Sequence, residues 1–329
     1  MKPTQQLLKL ITLVLLLVVF SSGRKKSSFM LVLLPDTQTY TSNYPEIFKS
    51  QTTWIAENAK NVAFVLHQGD ITDNNNEQQW NVAVESLTMM DGKVPYTFVP
   101  GNHDTSDGGN AVDRNNSMLN KFLPYSKYSK LPNFGGAFVS GDMTNTWHTF
   151  KAGGYKWLIL SLEFGPRNKV LDWAAGIIEK HPKHKVIINT HAYMYSDDTR
   201  MGEGKGHKWL PQNYGVGKAV GEDAVNNGEQ IWEKLVSNYA NILFVFSGHV
   251  LNDGVGTLVS EGKHGNKVYQ MLANYQGGVE GTEKGGNGFL RLIQIDPQNS
   301  TISVKTYSPY VDKYKTETDQ QFTFEKVKF

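Results

Sequence analysis

Short, continuous apolar runs alternate with helix-like patterns through the first third of the chain. Residues 29–35, 62–66 and 95–100 are runs of this kind and predict strands that are buried on both faces. Between them, residues 45–60 and 78–90 carry apolar side chains at helical spacing, so each predicts a helix with one face on a sheet. Strand, helix, strand, helix and strand in this order predict parallel pairing through right-handed crossovers.

The pattern changes after the third strand. Two short, glycine-bounded runs at 134–139 and 146–150 predict a hairpin. From residue 256 onward no helical spacing interrupts the short apolar runs, which predicts an antiparallel end to an α/β fold. The remaining predicted strands are 156–162, 185–190, 242–246, 257–260, 267–273, 289–295, 301–306 and 321–324, and the remaining predicted helices are 169–181 and 230–239.

Residues 192–227 are rich in Gly, Asp, Asn and Tyr and show no periodicity, which predicts a long surface loop. Its polar side chains are expected to be solvated, although an arginine there would also suit a phosphate or a carboxylate. No repeat or low-complexity linker divides the chain, so we predict a single domain over residues 28–329. The polar loop residues are Tyr193, Tyr195, Asp197, Asp198, Arg200 and His207.

The amino end has the features of a secretory signal peptide. Residues 10–20 read LITLVLLLVVF, follow Lys2 and Lys9, and precede small residues at 21–23. The run is shorter than the roughly 20 residues that a membrane span needs. We therefore predict that residues 1–23 are removed and that the protein is secreted, periplasmic or at the cell surface. The basic residues 24–26 leave a signal anchor as the alternative.

Composition and charge narrow the function classes. The chain has 329 residues, of which 33 are basic and 31 acidic, and a formal net charge of +2. Without the predicted signal peptide, which holds Lys2 and Lys9, the two charges balance at 31 each. A neutral chain gives no specific nucleic-acid signal. Because the sequence has no cysteine, thiolate zinc sites and catalytic thiols are excluded.

Polar residues with metal-binding side chains follow five of the predicted strands. In open α/β sheets, ligands bind beyond the carboxyl ends of the strands, so these residues are expected to converge on one edge. Oxygen and imidazole donors without thiolates suit Mn, Fe, Zn or Mg, and a pair of ions would hold so many ligands together. The clusters are Asp36-Thr37-Gln38, Gly69-Asp70-Ile71-Thr72-Asp73, Gly101-Asn102-His103-Asp104, His191 and Gly248-His249.

The ordered series D-x-Q, GDxxD, GNHD, a lone histidine and GH, over residues 36–249, resembles the calcineurin-like metallophosphoesterase superfamily. The usual pattern there is D-x-H, GDxxD, GNH followed by D or E, H, and GHxH, and this chain is similar to a branch with D-x-Q. The resemblance implies a two-sheet α/β sandwich flanked by helices, with mixed sheets. It also implies two divalent metal ions and hydrolysis of phosphate esters.

The resemblance implies ligands for both ions. Asp70 would bridge them, and Asn102, His191 and His249 would complete the first set of ligands. The second ion would be bound by Asp36, by the shared Asp70 and by Gln38, which stands where the family has histidine.

One ligand of the second ion is missing. Leu251 occupies the position of the second histidine in GHxH, and leucine cannot bind a metal. Asn252 or Asp253 is the alternative ligand.

The resemblance also implies a mechanism in which metal-activated water attacks phosphorus. His103 would act as the acid toward the leaving group, and Asp73 would orient His103. A helix N-cap is the alternative role for Asp73. The predicted function is an exported hydrolase of a small or macromolecular phosphate monoester or diester. The alternative is a catalytically weak metal-containing binding protein of the same fold. The departures from the family pattern at Gln38 and Leu251 support this alternative.

Overall fold

The computed structural model describes residues 27–329, which form two mixed seven-stranded sheets packed face to face with helices outside. The predicted signal peptide lies outside the described residues. In the first sheet, β1 lies between β2 and β11, in the order β13-β12-β11-β1-β2-β3, and β14 pairs with β12. Its strands are β1 (Phe29–Leu34), β2 (Val62–His67), β3 (Tyr96–Thr97), β11 (Leu290–Asp296), β12 (Thr301–Ser308), β13 (Lys313–Lys315) and β14 (Phe322–Phe324).

The second sheet has the strand order β4-β5-β6-β7-β8-β10-β9. Its centre is parallel, because β6, β7, β8 and β10 run in one direction, while β4, β5 and β9 pair antiparallel. These strands are β4 (Phe134–Ala137), β5 (Thr146–Ala152), β6 (Tyr155–Leu162), β7 (His184–Thr190), β8 (Ile242–Ser247), β9 (Val255–Glu261) and β10 (Lys267–Ala273).

Helices cover the outer face of each sheet. The two that fill the crossovers of the first sheet begin at residues suited to a helix start, since Pro45 takes the first turn of one and Asn76 caps the other. Within residues 27–329, no helix combines the length and apolar character needed to cross a bilayer. The helices are α1 (Gln38–Asn43), α2 (Pro45–Glu57), α3 (Glu77–Leu87), α4 (Leu119–Phe122), α5 (Tyr125–Tyr128), α6 (Asn168–Lys180) and α7 (Gly228–Lys234).

The strands are continuously apolar because each sheet is covered on both faces. Along β1, Leu31 and Leu33 pack into the core between the sheets, where Ile159 of β6 meets them. Val32 and Leu34 face the other way and pack under the helices of the first sheet. A third apolar cluster lies under the helices of the second sheet. The prediction of a two-sheet α/β sandwich is thus confirmed.

Parallel pairing was predicted for the first three strands, and β1-β2 and β2-β3 are both parallel. The third strand is much shorter than the predicted 95–100, since it covers only Tyr96–Thr97. Pro95 and Pro100 flank it, and proline has no N–H to donate to a ladder, so pairing ends at this edge of the sheet. The predicted helix 230–239 likewise ends early, at Lys234, before a 3-10 turn.

The prediction of a loop over residues 192–227 holds, but its polar side chains Tyr193, Tyr195, Arg200 and His207 are buried or ion-paired rather than solvated. Tyr193 is fully buried and its hydroxyl donates to Gln270 of β10 at 2.8 Å. Arg200 donates to Glu229 at 2.7 Å and to Ser260 of β9 at 2.9 Å, while Asp197 and Asp198 are exposed as predicted. The segment lacks periodicity because it packs through irregular backbone. It nevertheless covers the second sheet beside the carboxyl ends of β7 and β8.

Candidate metal centre

The carboxyl ends of the strands bring four predicted ligands to one edge of the sandwich. Asp36 lies two residues beyond β1, Asp70 three beyond β2, His191 directly after β7 and His249 two beyond β8. All four are buried. One donor atom each from Asp70, His191 and His249 lies within 4.8 Å of the other two. Residues far apart in the sequence therefore form one cluster.

Hydrogen bonds determine which nitrogen of each histidine faces the cluster. His191 donates from Nδ1 to the carbonyl of Gln68 at 2.7 Å, and His249 donates from Nε2 to the carbonyl of Trp209 at 2.8 Å. The other nitrogens, Nε2 of His191 and Nδ1 of His249, face each other at 3.1 Å. When both rings are neutral, these nitrogens carry facing lone pairs that a shared cation would bind. Imidazoles oriented by carbonyls in this way are typical of metal ligands.

Asp70 and Asn102 complete this set of donors. Asp70 Oδ2 and Asn102 Oδ1 each lie 3.2 Å from Nε2 of His191. The Asn102 amide group donates to the carbonyl of Gly109 at 2.8 Å, which turns its oxygen toward the histidine. Donors about 2.1 Å from a shared ion stand about 3 Å apart, so this spacing fits one divalent ion.

Burial and opposite charges compete at the ionisable groups of the cluster. Burial opposes ionisation of Asp70, but the neighbouring histidines, above all His191, outweigh it and lower the pKa of the Asp70 carboxyl. Burial likewise disfavours a charged His191, but Asp70 outweighs it and raises the pKa of this imidazole to about 9. At Asp36 burial dominates and raises the pKa of the carboxyl. The centre therefore favours positive charge beside Asp70.

The backbone at three of these residues is strained. Asp36, Asp70 and His249 have φ angles of 40°, 47° and 78°, in the left-handed region that residues other than glycine seldom adopt. Two motif glycines leave room for the carboxylates, since a Cβ at Gly101 would overlap Asp70 Oδ1 and one at Gly248 would overlap Asp36 Oδ2. Strain of this kind is concentrated at functional sites, where the surrounding structure holds it in place.

A second group of donors consists of oxygen atoms. Both carboxylate oxygens of Asp36 accept from the backbone N–H of His249, at 3.0 and 3.2 Å, and its charge interacts with that of Asp70. Gln38 is buried, and its Oε1 has no hydrogen-bond partner within residues 27–329. A buried carbonyl without a partner is unfavourable unless an ion or a water binds it. Gln38 therefore fits the oxygen ligand expected for a second ion.

The residues around position 251 supply no further ligand. Leu251 packs against Gly278, where a Cβ would meet its Cδ1 at 3.5 Å. Asn252 is exposed and donates to Ser196 at 2.7 Å, and Asp253 is exposed and accepts from the N–H of Val255 at 3.2 Å. The Asn252 side chain is thus engaged by a distant loop and that of Asp253 by its own turn, so the second group keeps two carboxylates and one amide oxygen.

His103 lies beside the cluster and is bound from both ends. Its backbone N–H donates to Asp70 Oδ1 at 2.9 Å, and its Nδ1 donates to the carbonyl oxygen of Asp73 at 2.7 Å. Nε2 has no hydrogen bond within the described chain, and 27% of the side chain is exposed. Burial disfavours the charged ring, but the charge of Asp70 and the bond to Asp73 outweigh it and raise the pKa of His103.

Asp73 acts on His103 mainly through its backbone. Its carboxylate is 3.5 Å from His103 Nδ1, farther than its carbonyl, and accepts from Asn74 at 2.9 Å. The alternative role as the cap of the following helix is wrong. Asn76 caps α3 instead, because its side chain accepts from the N–H of Gln79 at 3.0 Å.

Asp104, to which the sequence analysis assigned no role, joins the two central loops. It is fully buried and accepts from the backbone N–H groups of Ile71, Thr72 and Gly101 at 2.8–2.9 Å. These bonds hold the loop of Asp70 against the loop of Asn102. The signal for this residue was present in the sequence, as the fourth letter of GNHD.

Two aromatic residues were also missed. Phe164 is fully buried, and its ring lies 5.8 Å from His191 and 5.2 Å from His249, so it holds both imidazoles on their apolar side. It follows β6 at the same edge, where the carboxyl-end rule could have found it. Trp209, whose carbonyl binds His249, lies in the aperiodic segment 192–227, and no sequence pattern marks it.

Comparisons with known proteins agree with this geometry. The calcineurin-like phosphoesterase family matches residues 31–253. The uncharacterized protein YvnB of Bacillus subtilis strain 168 is 30% identical over 308 residues, which are 89% of this chain but only 21% of that protein. This chain thus spans about a fifth of the length of that relative.

Two solved structures are similar in fold. One is a purple acid phosphatase from yellow lupin (Lupinus luteus) seeds, at 12% identity and a TM-score of 0.55, over 91% of this chain and 54% of that one. The other is described as the anchor in the inner membrane complex of Plasmodium, at 14% identity and a TM-score of 0.51, over 92% and 91%. On the match over residues 31–253, this chain belongs to the calcineurin-like phosphoesterase family.

Proposed function

We propose that this chain is a metal-dependent hydrolase of phosphate esters. The observation that carries the proposal is the pair of imidazole nitrogens 3.1 Å apart, with carboxylate and amide oxygens 3.2 Å from one of them. Both outer nitrogens are bonded to carbonyls, so the inner nitrogens of the two rings point at the same place as the oxygens of Asp70 and Asn102, where a divalent ion would bind all four.

Asp70, Asn102, His191 and His249 would hold one ion, and Asp36, Gln38 and Asp70 the other. When bound, such ions supply Lewis-acid charge and make water acidic enough to act as a nucleophile near neutral pH. The protein residues hold the donors in place. Phe164, which packs on the apolar side of both histidine rings, excludes bulk water from that side.

His103 is the group suited to proton transfer. Its Nδ1 is bonded to the Asp73 carbonyl, so Nε2 is the nitrogen available to a substrate. Its raised pKa favours the protonated ring, which can donate a proton to the leaving oxygen. The preference for monoesters or diesters is measured with a panel of both kinds of substrate.

A binding protein of the same fold is the second candidate. Leu251 deprives the second ion of one ligand, and one protein of similar fold is described as an anchor. His103 argues against this candidate, because a scaffold has no use for a partly exposed imidazole beside the centre.

The test is turnover of p-nitrophenyl phosphate and bis(p-nitrophenyl) phosphate after chelation and reloading with Mn, Fe, Zn or Mg. We expect activity that depends on metal, lost in His191→Ala together with bound metal. His264→Ala, a change at an exposed histidine outside the cluster, is the matched control. Turnover that persists in His191→Ala, or in chelated protein, would contradict the proposal. Metal binding without turnover of any ester would favour the binding protein.

We also propose that the chain is exported, on the strength of its apolar amino-terminal run. Expression with residues 1–23 intact should give a protein outside the cytoplasm that begins near Arg24. Amino-terminal sequencing of the recovered protein tests this, and an intact Met1 on a membrane-bound form would favour the signal anchor.

A further inference from the structure

Tyr214 lies in the aperiodic segment 192–227 and reaches the metal centre from a different direction than the strand-end ligands. Its ring centroid is 5.0 Å from that of Phe164, nearly perpendicular to it, and 5.9 Å from that of His249. Phe164 also packs on His191. The rings of Tyr214, Phe164, His191 and His249 therefore form one continuous set of aromatic contacts at the cluster.

The backbone around Tyr214 is bound to the loop that carries the acid. The N–H of Val216 donates to the carbonyl of Ala111 at 2.9 Å, and the N–H of Gly215 donates to that of Asn110 at 3.3 Å. Gly215 sits so close to Val112 that a Cβ there would lie 2.5 Å from its Cα. Tyr214 is therefore held between the GNHD loop and the GH loop and has a defined position.

The hydroxyl of Tyr214 is not engaged by the described part of the chain, whereas those of the buried Tyr193 and Tyr275 bond to Gln270 and Thr306. Within residues 27–329, the hydroxyl of Tyr214 has no hydrogen-bond partner, although the residue is only partly exposed. Packing on Phe164 would be served equally well by phenylalanine, so packing does not account for the hydroxyl.

The ring contacts place Tyr214 at the cluster, because its ring lies against His249, whose imidazole shares the cluster with Asp70. Burial, together with the negative charge of Asp70, raises the pKa of Tyr214. A free O–H donor next to a cation centre that would bind a phosphate suits one of the phosphoryl oxygens.

We infer that Tyr214 contacts the substrate directly, its hydroxyl donating a hydrogen bond to a non-bridging oxygen of a phosphoryl group bound at the metal centre. The inference rests on the proposed function and adds a residue to it that no motif supplies. Tyr214 then complements the cations: they attract the anion, and the hydroxyl fixes its orientation.

The test compares wild type with Tyr214→Phe, which keeps the ring and its packing and removes only the oxygen. Tyr239→Phe is the matched control, because the Tyr239 hydroxyl bonds to Glu179 on the surface outside the cluster. For each metal-loaded full-length protein, binding of inorganic phosphate is measured by calorimetry, metal content by mass spectrometry, and kcat and KM with a nitrophenyl ester. A hydrogen bond to a charged group predicts that phosphate binds about tenfold more weakly to Tyr214→Phe, and that kcat/KM falls by a similar factor.

The outcomes separate this inference from the proposed function. Metal content equal to wild type with weakened phosphate binding supports the role, provided Tyr239→Phe behaves as wild type. Phosphate affinity within twofold of wild type overturns it while leaving the hydrolase proposal intact. Loss of metal from Tyr214→Phe also overturns it, because the residue would then act by supporting His249. A metal-loaded wild type that neither binds phosphate nor turns over any ester would contradict both the role of Tyr214 and the hydrolase proposal.

Discussion

Nε2 of His191 and Nδ1 of His249 face each other at 3.1 Å, and the other nitrogen of each ring donates outward to a backbone carbonyl. These carbonyls belong to Gln68, next to the GDxxD motif, and to Trp209, in the aperiodic segment. The orientation of the ligands is therefore set by the main chain of two unrelated segments. A side-chain substitution does not remove a main-chain carbonyl. The experiments that test the centre must therefore change the ligand side chains themselves.

Asp70→Asn should remove at least one metal ion and most activity. The amide keeps the shape of the side chain but loses the negative charge that lies 3.2 Å from His191. Since loss of even an outer partner of a metal ligand weakens metal binding 10–100-fold, we expect a loss of more than about 100-fold here. Metal content and titration calorimetry check this, with the exposed Asp172→Asn as control. Wild-type metal content in Asp70→Asn would refute the assignment of Asp70.

His103→Ala should retain its metal and lose rate. The residue touches Asp70 only through its backbone N–H, which alanine keeps. General-acid catalysis contributes roughly 10²–10⁴-fold, so the loss should be large for alkyl phosphates and small for nitrophenyl esters, whose leaving groups need no proton. Rates across a series of leaving groups decide this. An equal loss for all of them would point to stabilisation of charge rather than proton donation.

Asp73→Asn should have a much smaller effect than His103→Ala. The bond that orients His103 comes from the Asp73 carbonyl at 2.7 Å, and the carboxylate is farther away at 3.5 Å. Removing the carboxylate charge leaves the carbonyl in place, so we expect kcat to fall by less than about tenfold, against the 10²–10⁴-fold of general-acid loss. Parallel measurement of kcat for the two variants tests the difference. A deficit in Asp73→Asn as deep as that of His103→Ala would mean that the carboxylate is the orienting group.

His148 should make the protein less stable in mild acid. The residue lies on β5, its buried ring is bonded to Thr97 and Thr146 at 2.9 and 3.0 Å, and burial lowers its pKa from 6.5 to about 3. Between these values the unfolded chain binds a proton that the folded chain does not. Stability from this group is therefore complete above about pH 6.5 and lost as the pH falls toward 3.

The size of this effect follows from the proton uptake. From pH 7 to pH 5, wild type should lose about 2 kcal/mol of unfolding free energy that a His148→Gln variant does not lose. Urea unfolding of both proteins at the two pH values isolates the contribution, because all other groups titrate alike in both. Equal losses in the two proteins would show that the ring titrates normally in the folded state.

The sequence predicted the buried strands and the strand-end ligands because both depend on local patterns, whereas the two-sheet sandwich was implied by the family resemblance. Apolar runs mark strands covered on two faces, and polar residues directly after them reach one edge. The same rule fails at Glu163, which also follows β6 at that edge. This carboxylate is buried, but it pairs with Arg167 at 2.7 Å and Arg114 at 3.4 Å rather than with the metal cluster. Nothing local distinguishes a carboxylate paired with arginine from one that binds a metal.

The aperiodic segment shows the other limit of sequence reasoning. Residues such as Trp209 and Tyr214 act through irregular backbone that is held by long-range hydrogen bonds, for example from Val216 to Ala111. Such positions have no period and no neighbouring motif, so only the folded chain places them beside the GNHD and GH loops. Glycine and asparagine content predicted a loop correctly, but composition does not say on which surface a loop packs.

The two groups of donors should bind metal unequally. One group has two imidazoles, an amide oxygen and a share of Asp70, whereas the other has oxygens alone, from Asp36, Gln38 and Asp70. Imidazole favours Zn and Fe, while carboxylate and carbonyl oxygens favour Mg, Mn and Ca. Dialysis should therefore remove one ion first, and Mn or Mg should restore activity.

Leu251→His is the change that tests this asymmetry. Leu251 packs on Gly278, and the adjoining Gly277 lies against Thr39, next to Gln38, so the position borders the oxygen-rich group. A histidine there should add a nitrogen donor and retain the second ion through dialysis, whereas Leu251→Phe, which fills the space without a donor, should not. Metal content per chain before and after dialysis, with calorimetric titration of each protein, measures the effect. Two equally tight ions in wild type would contradict the asymmetry and would mean that another residue completes the second group.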